Sequence, residues 1–130
     1  MERKAIICID DEPIILNSLV EQLEKSFGDA YLYEAAESAE EALELIEDLE
    51  DDDIDMQVIV CDWLMPGMKG DEFLLRIDLK YPKVVKILLT GQANEELVFN
   101  LKQETDRFAV LQKPWEKDEL VNTIKKRMPK

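Results

Sequence analysis

Five short apolar runs, at residues 5–9, 30–35, 57–61, 84–89 and 108–112, alternate with five stretches whose apolar residues recur at helical spacing. That rhythm leaves few folds open. Several runs are nearly continuous in Ile, Val, Leu and Cys, the pattern of strands covered on both faces. The helical stripes are Ile15, Leu16, Leu19, Val20, Leu23 and Phe27; Ala39, Ala42, Leu43, Ile46 and Leu49; Leu74, Ile77 and Leu79; Leu97, Val98 and Leu101; and Leu120, Val121, Ile124 and Met128. The second opens on Ser38 with Glu41 three residues later, a reciprocal capping signature. Strand–helix alternation of this kind predicts an α/β fold with a doubly wound parallel sheet. With 130 residues, 46% of them hydrophobic, one compact domain over 1–130 is expected.

Thirty acidic residues against sixteen basic ones give a formal charge of −14, which repels phosphate backbones and anionic lipids. Direct nucleic-acid binding and membrane association are therefore not expected, and no apolar run approaches the roughly 20 residues of a membrane span. The first apolar run is too short for a signal-peptide core, so a cytoplasmic location is expected. Cys8 and Cys61 lie inside strand-like runs without metal-ligand spacing, and buried reduced thiols are the expectation. Residues 47–55 hold seven acids, read as a solvated loop between the second helix and third strand.

In a doubly wound sheet, ligands gather beyond the carboxyl ends of the strands. Those ends carry Asp10 and Asp11, then Asp62, then Thr90, then Lys113 followed by Pro114. Gathered in one crevice, three carboxylates repel one another unless a cation offsets them. Hard oxygen ligands and an incomplete protein cage suit Mg²⁺. A metal beside an ionised Asp, with a lysine and a hydroxyl opposite, can hold a phosphoryl group. Asp62, ending the third strand, is the better nucleophile, while Asp10 and Asp11 by themselves would read as a helix N-cap.

The blocks Ile9-Asp10-Asp11-Glu12-Pro13, Val60-Cys61-Asp62-Trp63-Leu64-Met65-Pro66-Gly67-Met68-Lys69-Gly70, Leu88-Leu89-Thr90-Gly91 and Gln112-Lys113-Pro114-Trp115 together resemble the signature of bacterial response-regulator receiver domains. The resemblance covers essentially the whole chain. It implies a flavodoxin-like (βα)5 fold of strand order 2-1-3-4-5 and a phosphorelay switch rather than a turnover enzyme. It implies that Asp62 accepts a phosphoryl group from a sensor histidine kinase or phosphotransfer protein. Asp11, Asp62 and the Leu64 carbonyl would bind Mg²⁺ directly, and Asp10 through water. Lys113 would pair with the phosphoryl oxygens, Pro114 would follow a cis peptide, and Thr90 would swing toward the phosphoryl group after transfer. The changed surface would be read by an effector domain or downstream protein, and a dimer through the last helix and neighbouring elements would fit.

The chain departs from the family pattern at three places. Val110 stands where an aromatic switch residue is usual, Leu64 is apolar where many receivers are polar, and Gln92 follows Thr90 at the matching place. Leu64 should order attacking water poorly and slow hydrolysis of an aspartyl phosphate. Trp115 reads as packing or as a partner contact. The competing readings fare less well. A haloacid-dehalogenase-like phosphatase needs an acid where Leu64 stands. A calcium loop over Asp51, Asp53 and Asp55 has Met56 at the position requiring glycine. A receiver-like interaction module that works without phosphorylation is the remaining alternative, since Val110 and Leu64 leave it open.

Overall fold

The computed structural model describes residues 3–91 and 107–128. Its strands are β1 (Arg3–Ile9), β2 (Tyr31–Ala36), β3 (Ile54–Asp62), β4 (Val85–Thr90) and β5 (Phe108–Gln112). Its α-helices are α1 (Pro13–Phe27), α2 (Ala39–Asp51), α3 (Gly70–Lys80) and α4 (Lys117–Arg127). The strands form one parallel sheet in the order β2-β1-β3-β4-β5. The winding leaves β1 toward β2 and then returns past it to β3, so the switch of direction lies between β1 and β3. The expected α/β, doubly wound architecture and order 2-1-3-4-5 are thus observed. The expected helix around Leu97, Val98 and Leu101, and Gln92, lie outside the described residues.

Successive strand residues face opposite sides, and the core divides accordingly. Ala5, Ile7, Ile9, Ile59, Cys61 and Leu88 face α2 and α3, while Ile6, Cys8, Val58, Val60, Ile87 and Leu89 face α1 and α4. Both cysteines are buried and free, as expected. The edge strand β2 is more open, and Leu32 is exposed.

Local chemistry sets the helix ends. Pro13 at the start of α1 needs no N–H partner there, and Gly28 ends that helix at φ 70°. Ser38 Oγ accepts the Glu41 amide at 3.1 Å, while the Glu41 carboxylate accepts the Glu37 amide at 3.3 Å. The capping signature is therefore present, with its return arm on the residue before the cap. In α4 the acids Asp118 and Glu119 stand in the first turn and Lys125, Lys126 and Arg127 in the last, both favourable to the helix dipole.

Three expectations need correction. The acidic stretch is no free loop: α2 runs through Asp51, Asp52 and Asp53 make the turn, and β3 begins at Ile54. Leu79 is 88% exposed, and Phe73 takes its place in the core. It stands two residues beyond Ile77, on the far side of a 3.6-residue turn, whereas Phe73 is four residues before Ile77 on the same face. Leu43 is also exposed, at the margin of its stripe, where Leu45 packs instead.

Candidate functional site

The strand ends predicted to converge do so. Ile9 pairs with Cys61 across β1 and β3, which brings the residues following them side by side. Oxygens of Asp10, Asp11 and Asp62 all lie within 4.8 Å of one another, the one such acidic group among the described residues. Asp10 is fully buried, Asp62 nearly so, and Asp11 opens to solvent. Lys113 reaches over from the end of β5, its Nζ 2.9 Å from Asp10 Oδ2 and 2.9 Å from Asp62 Oδ1. The Lys113 amide donates to the Thr90 carbonyl at 2.7 Å, tying the ends of β4 and β5 together. Thr90 is buried at the last position of β4. The Lys113–Pro114 peptide is cis.

Neither member of the Asp10–Asp11 pair is the N-cap of α1. Glu12 holds that position without a side-chain cap, and Asp10 Oδ1 accepts the Glu12 amide at 2.9 Å. Asp10 is thereby oriented by three partners of different kinds: the Glu12 amide, the Lys113 ammonium, and β2, whose Ala36 carbonyl accepts the Asp10 amide.

The electrostatics follow from crowding. Burial pushes the Asp62 carboxyl above its usual range; the Lys113 hydrogen bond opposes this, and the charges of Asp10 and Asp11 reinforce it. Burial works against the charge on Lys113, but hydrogen bonds to Asp10 and Asp62 more than offset it, and its pKa lies above the ordinary lysine value. One ammonium thus faces three carboxylates. This excess of hard oxygen donors fits a divalent cation such as Mg²⁺, with Asp10, Asp11 and Asp62 as the residues able to hold it. Leu64, two residues beyond Asp62, is 52% exposed beside this nest, and Val110 is half-buried on β5.

Two residues of the site were quoted in sequence blocks without being given a role. Gly70 begins α3 where a Cβ would stand 2.1 Å from the Asp62 carbonyl oxygen, so the backbone following the phosphoacceptor candidate requires glycine there. Its amide donates to the Trp63 carbonyl at 2.7 Å. Trp63 itself donates its indole N–H to Asp71 Oδ1 at 3.1 Å. Trp115, left open between packing and partner contact, donates its indole N–H to Gln22 of α1 at 2.8 Å and packs on the α1–α4 side.

Comparison with known proteins agrees with this geometry. The family model described as the response regulator receiver domain matches residues 6–125. The hydrogenase transcriptional regulatory protein HoxA of Cupriavidus necator is 28% identical over 124 residues, 95% of this chain and 24% of that protein. The chain thus spans about a quarter of the length of that curated relative. Among solved structures, the receiver domain of an HD domain-containing protein from Pseudomonas fluorescens Pf-5 superposes with a TM-score of 0.80 at 27% identity, covering 97% of this chain and 94% of the other. A CheY-like receiver from Methanospirillum hungatei gives 0.78 at 31% identity, with coverages of 97% and 94%. The beryllofluoride-activated NtrC4 receiver dimer gives 0.79 at 27% identity, covering 95% of each chain. Strand order, the carboxylate nest at the switch point, and a family match over nearly the entire length converge on one assignment: this chain belongs to the response regulator receiver domains of two-component systems.

Proposed function

We propose that this domain receives a phosphoryl group on Asp62 from the phosphohistidine of a sensor kinase or phosphotransfer protein. The observation that carries the reading is the contact of one lysine with two carboxylates, Asp10 and Asp62, that already crowd a third. A carboxylate held beside a lysine is available as a nucleophile, and the negative charge that the phosphoryl group brings into the crowded nest calls for that lysine and a cation to offset it. An Asp62 carboxylate oxygen attacks phosphorus, the new P–O bond forms as the P–N bond to imidazole breaks, and the imidazole leaves with the bonding pair.

Bound Mg²⁺ would neutralise charge on the nest and on the phosphoryl oxygens. Asp11, Asp62 and the Leu64 carbonyl would hold it directly, and Asp10 through water. Lys113, freed from Asp62 as that carboxylate is esterified, would follow the charge to the phosphoryl oxygens. Thr90 would turn its hydroxyl to the same group, and because the Lys113 amide is bonded to the Thr90 carbonyl, the ends of β4 and β5 would respond together. The altered surface would be read by an effector domain, by a downstream protein, or by a second copy through α4 and neighbouring elements. Leu64 would leave the attacking water poorly ordered and prolong the phosphorylated state.

The test is an amide NMR titration with Mg²⁺ and beryllofluoride, which mimics the phosphoryl group. Shifts at Asp62, Thr90 and Lys113 that spread along β4 and β5 are expected. Metal binding without beryllofluoride-dependent shifts would favour an interaction module that works without phosphorylation.

A further inference from the structure

The backbone immediately after Asp62 is held at three points. The Trp63 amide donates to the Leu89 carbonyl of β4 at 2.9 Å, and the Trp63 carbonyl accepts the Gly70 amide at 2.7 Å. Any residue but proline at position 63 could make these two bonds. The third depends on side chains: the indole N–H donates to Asp71 Oδ1, in the first turn of α3. Trp63 also packs against the core beneath α2 and α3, and Asp71 is half-buried. The half-buried indole thus rests against the core with its one polar atom used.

This bond joins both ends of the connection that carries Leu64. At one end is Asp62; at the other, Gly70 packs so closely on the Asp62 carbonyl that no side chain fits between them. A shift of α3 relative to β3 would therefore move the Asp62 backbone, and the Trp63–Asp71 bond opposes such a shift. Asp71 is not one of the carboxylates gathered at the site, and the contact that links it to the backbone after Asp62 is its bond to the Trp63 indole.

We propose that Asp71 is a positioning residue: by accepting the Trp63 indole N–H, it fixes the backbone that presents Asp62 and the Leu64 carbonyl to a divalent cation. This rests on the functional reading above and adds to it a residue outside the carboxylate nest. Hydrogen bonds that orient a metal-holding group are typically worth about tenfold or more in metal affinity.

The test compares wild type with Asp71→Ala, Asp71→Asn, Trp63→Phe and the Trp63→Phe/Asp71→Ala pair. Mg²⁺ affinity is measured by calorimetry, and folding of each metal-free variant by its thermal transition. The Trp63 indole proton, followed by NMR in metal-free protein, reports the bond directly. Asp71→Ala and Trp63→Phe should each weaken Mg²⁺ binding by about tenfold, and the double variant should be no weaker than either. Asp71→Asn keeps an acceptor oxygen and should bind nearly as wild type, with the indole proton still protected. Equal Mg²⁺ affinity in all variants would overturn the proposal. So would an Asp71→Asn loss equal to that of Asp71→Ala, which would make the carboxylate a source of charge rather than an acceptor. A wild-type domain that binds no Mg²⁺ would instead sink the functional reading on which the proposal rests.

Discussion

Asp62 is placed where ionisation is costly, and this has a consequence for stability. Its raised pKa means that the native state holds the proton more tightly than the unfolded chain, whose carboxyl has the ordinary value of 3.8. The Asp62 contribution to metal-free stability therefore falls as pH climbs from 3.8 through the raised native pKa, then levels off. Asp62→Asn should flatten that part of a stability profile and leave the metal-free domain at neutral pH at least as stable as wild type. Denaturant unfolding across the acid range checks it; an unchanged profile would contradict the assignment. Leu64 carries a second prediction. An Asn at position 64 could hold water by one hydrogen bond of about 0.5–1.5 kcal/mol, so Leu64→Asn should hasten dephosphorylation by roughly two- to tenfold. A half-life equal to that of wild type would count against the proposed role of Leu64 in slowing hydrolysis. The residues of the nest were legible because each immediately follows or ends an apolar run. Asp71 was not, because a carboxylate in a helical first turn looks like any dipole partner until an indole is seen beside it.

At the scale of elements, α2 shows a cap that composition could announce, and β4 a charge that it could not. Ser38→Ala should cost about 1 kcal/mol in a denaturant titration while leaving Mg²⁺ affinity unchanged, because the cap lies outside the carboxylate nest. Lys86 stands between Val85 and Ile87 in a strand that reads as wholly buried, and it is indeed fully buried. Its Nζ is 2.8 Å from Asp78 of α3 and donates to the carbonyls of Val84 at 2.7 Å and Tyr81 at 3.0 Å. Burial lowers its pKa, with Asp78 opposing that shift. Removing one partner of such a pair strands the other, so Lys86→Ala should destabilise by about 3 kcal/mol; a change within about 0.5 kcal/mol would show the pair to be dispensable. Helical spacing located the stripes on α1 and α4 well, yet misplaced Leu79 and Leu43, since periodicity defines a face and only packing defines its margins. The seven acids of 47–55 suggested solvent, and they are largely solvent-facing, but hydration of side chains does not prevent the backbone beneath from being helical.

For the whole molecule, charge is distributed very unevenly. Residues 34–55 hold twelve acids and no Lys or Arg, so this stretch of β2, α2 and early β3 carries most of the net charge of −14. Lys80 of α3 comes to its edge, 3.2 Å from Glu50, which also accepts the Tyr81 hydroxyl at 2.9 Å. Self-repulsion at this density should make the melting temperature rise with NaCl, as the screening length falls from about 30 Å at 0.01 M toward about 8 Å at 0.15 M. A flat or falling melting temperature would mean that the acids are already compensated. No described helix is long and apolar enough to cross a membrane. The central claim concerns one oxygen atom, on Asp62, and mass spectrometry of the intact chain addresses it most directly. After incubation with acetyl phosphate and Mg²⁺, wild type should gain a single phosphoryl group labile to base and to hydroxylamine, and Asp62→Asn or chelation of the metal should abolish it. An unmodified wild-type chain, or an Asp62→Asn chain modified as fully as wild type, would contradict the account.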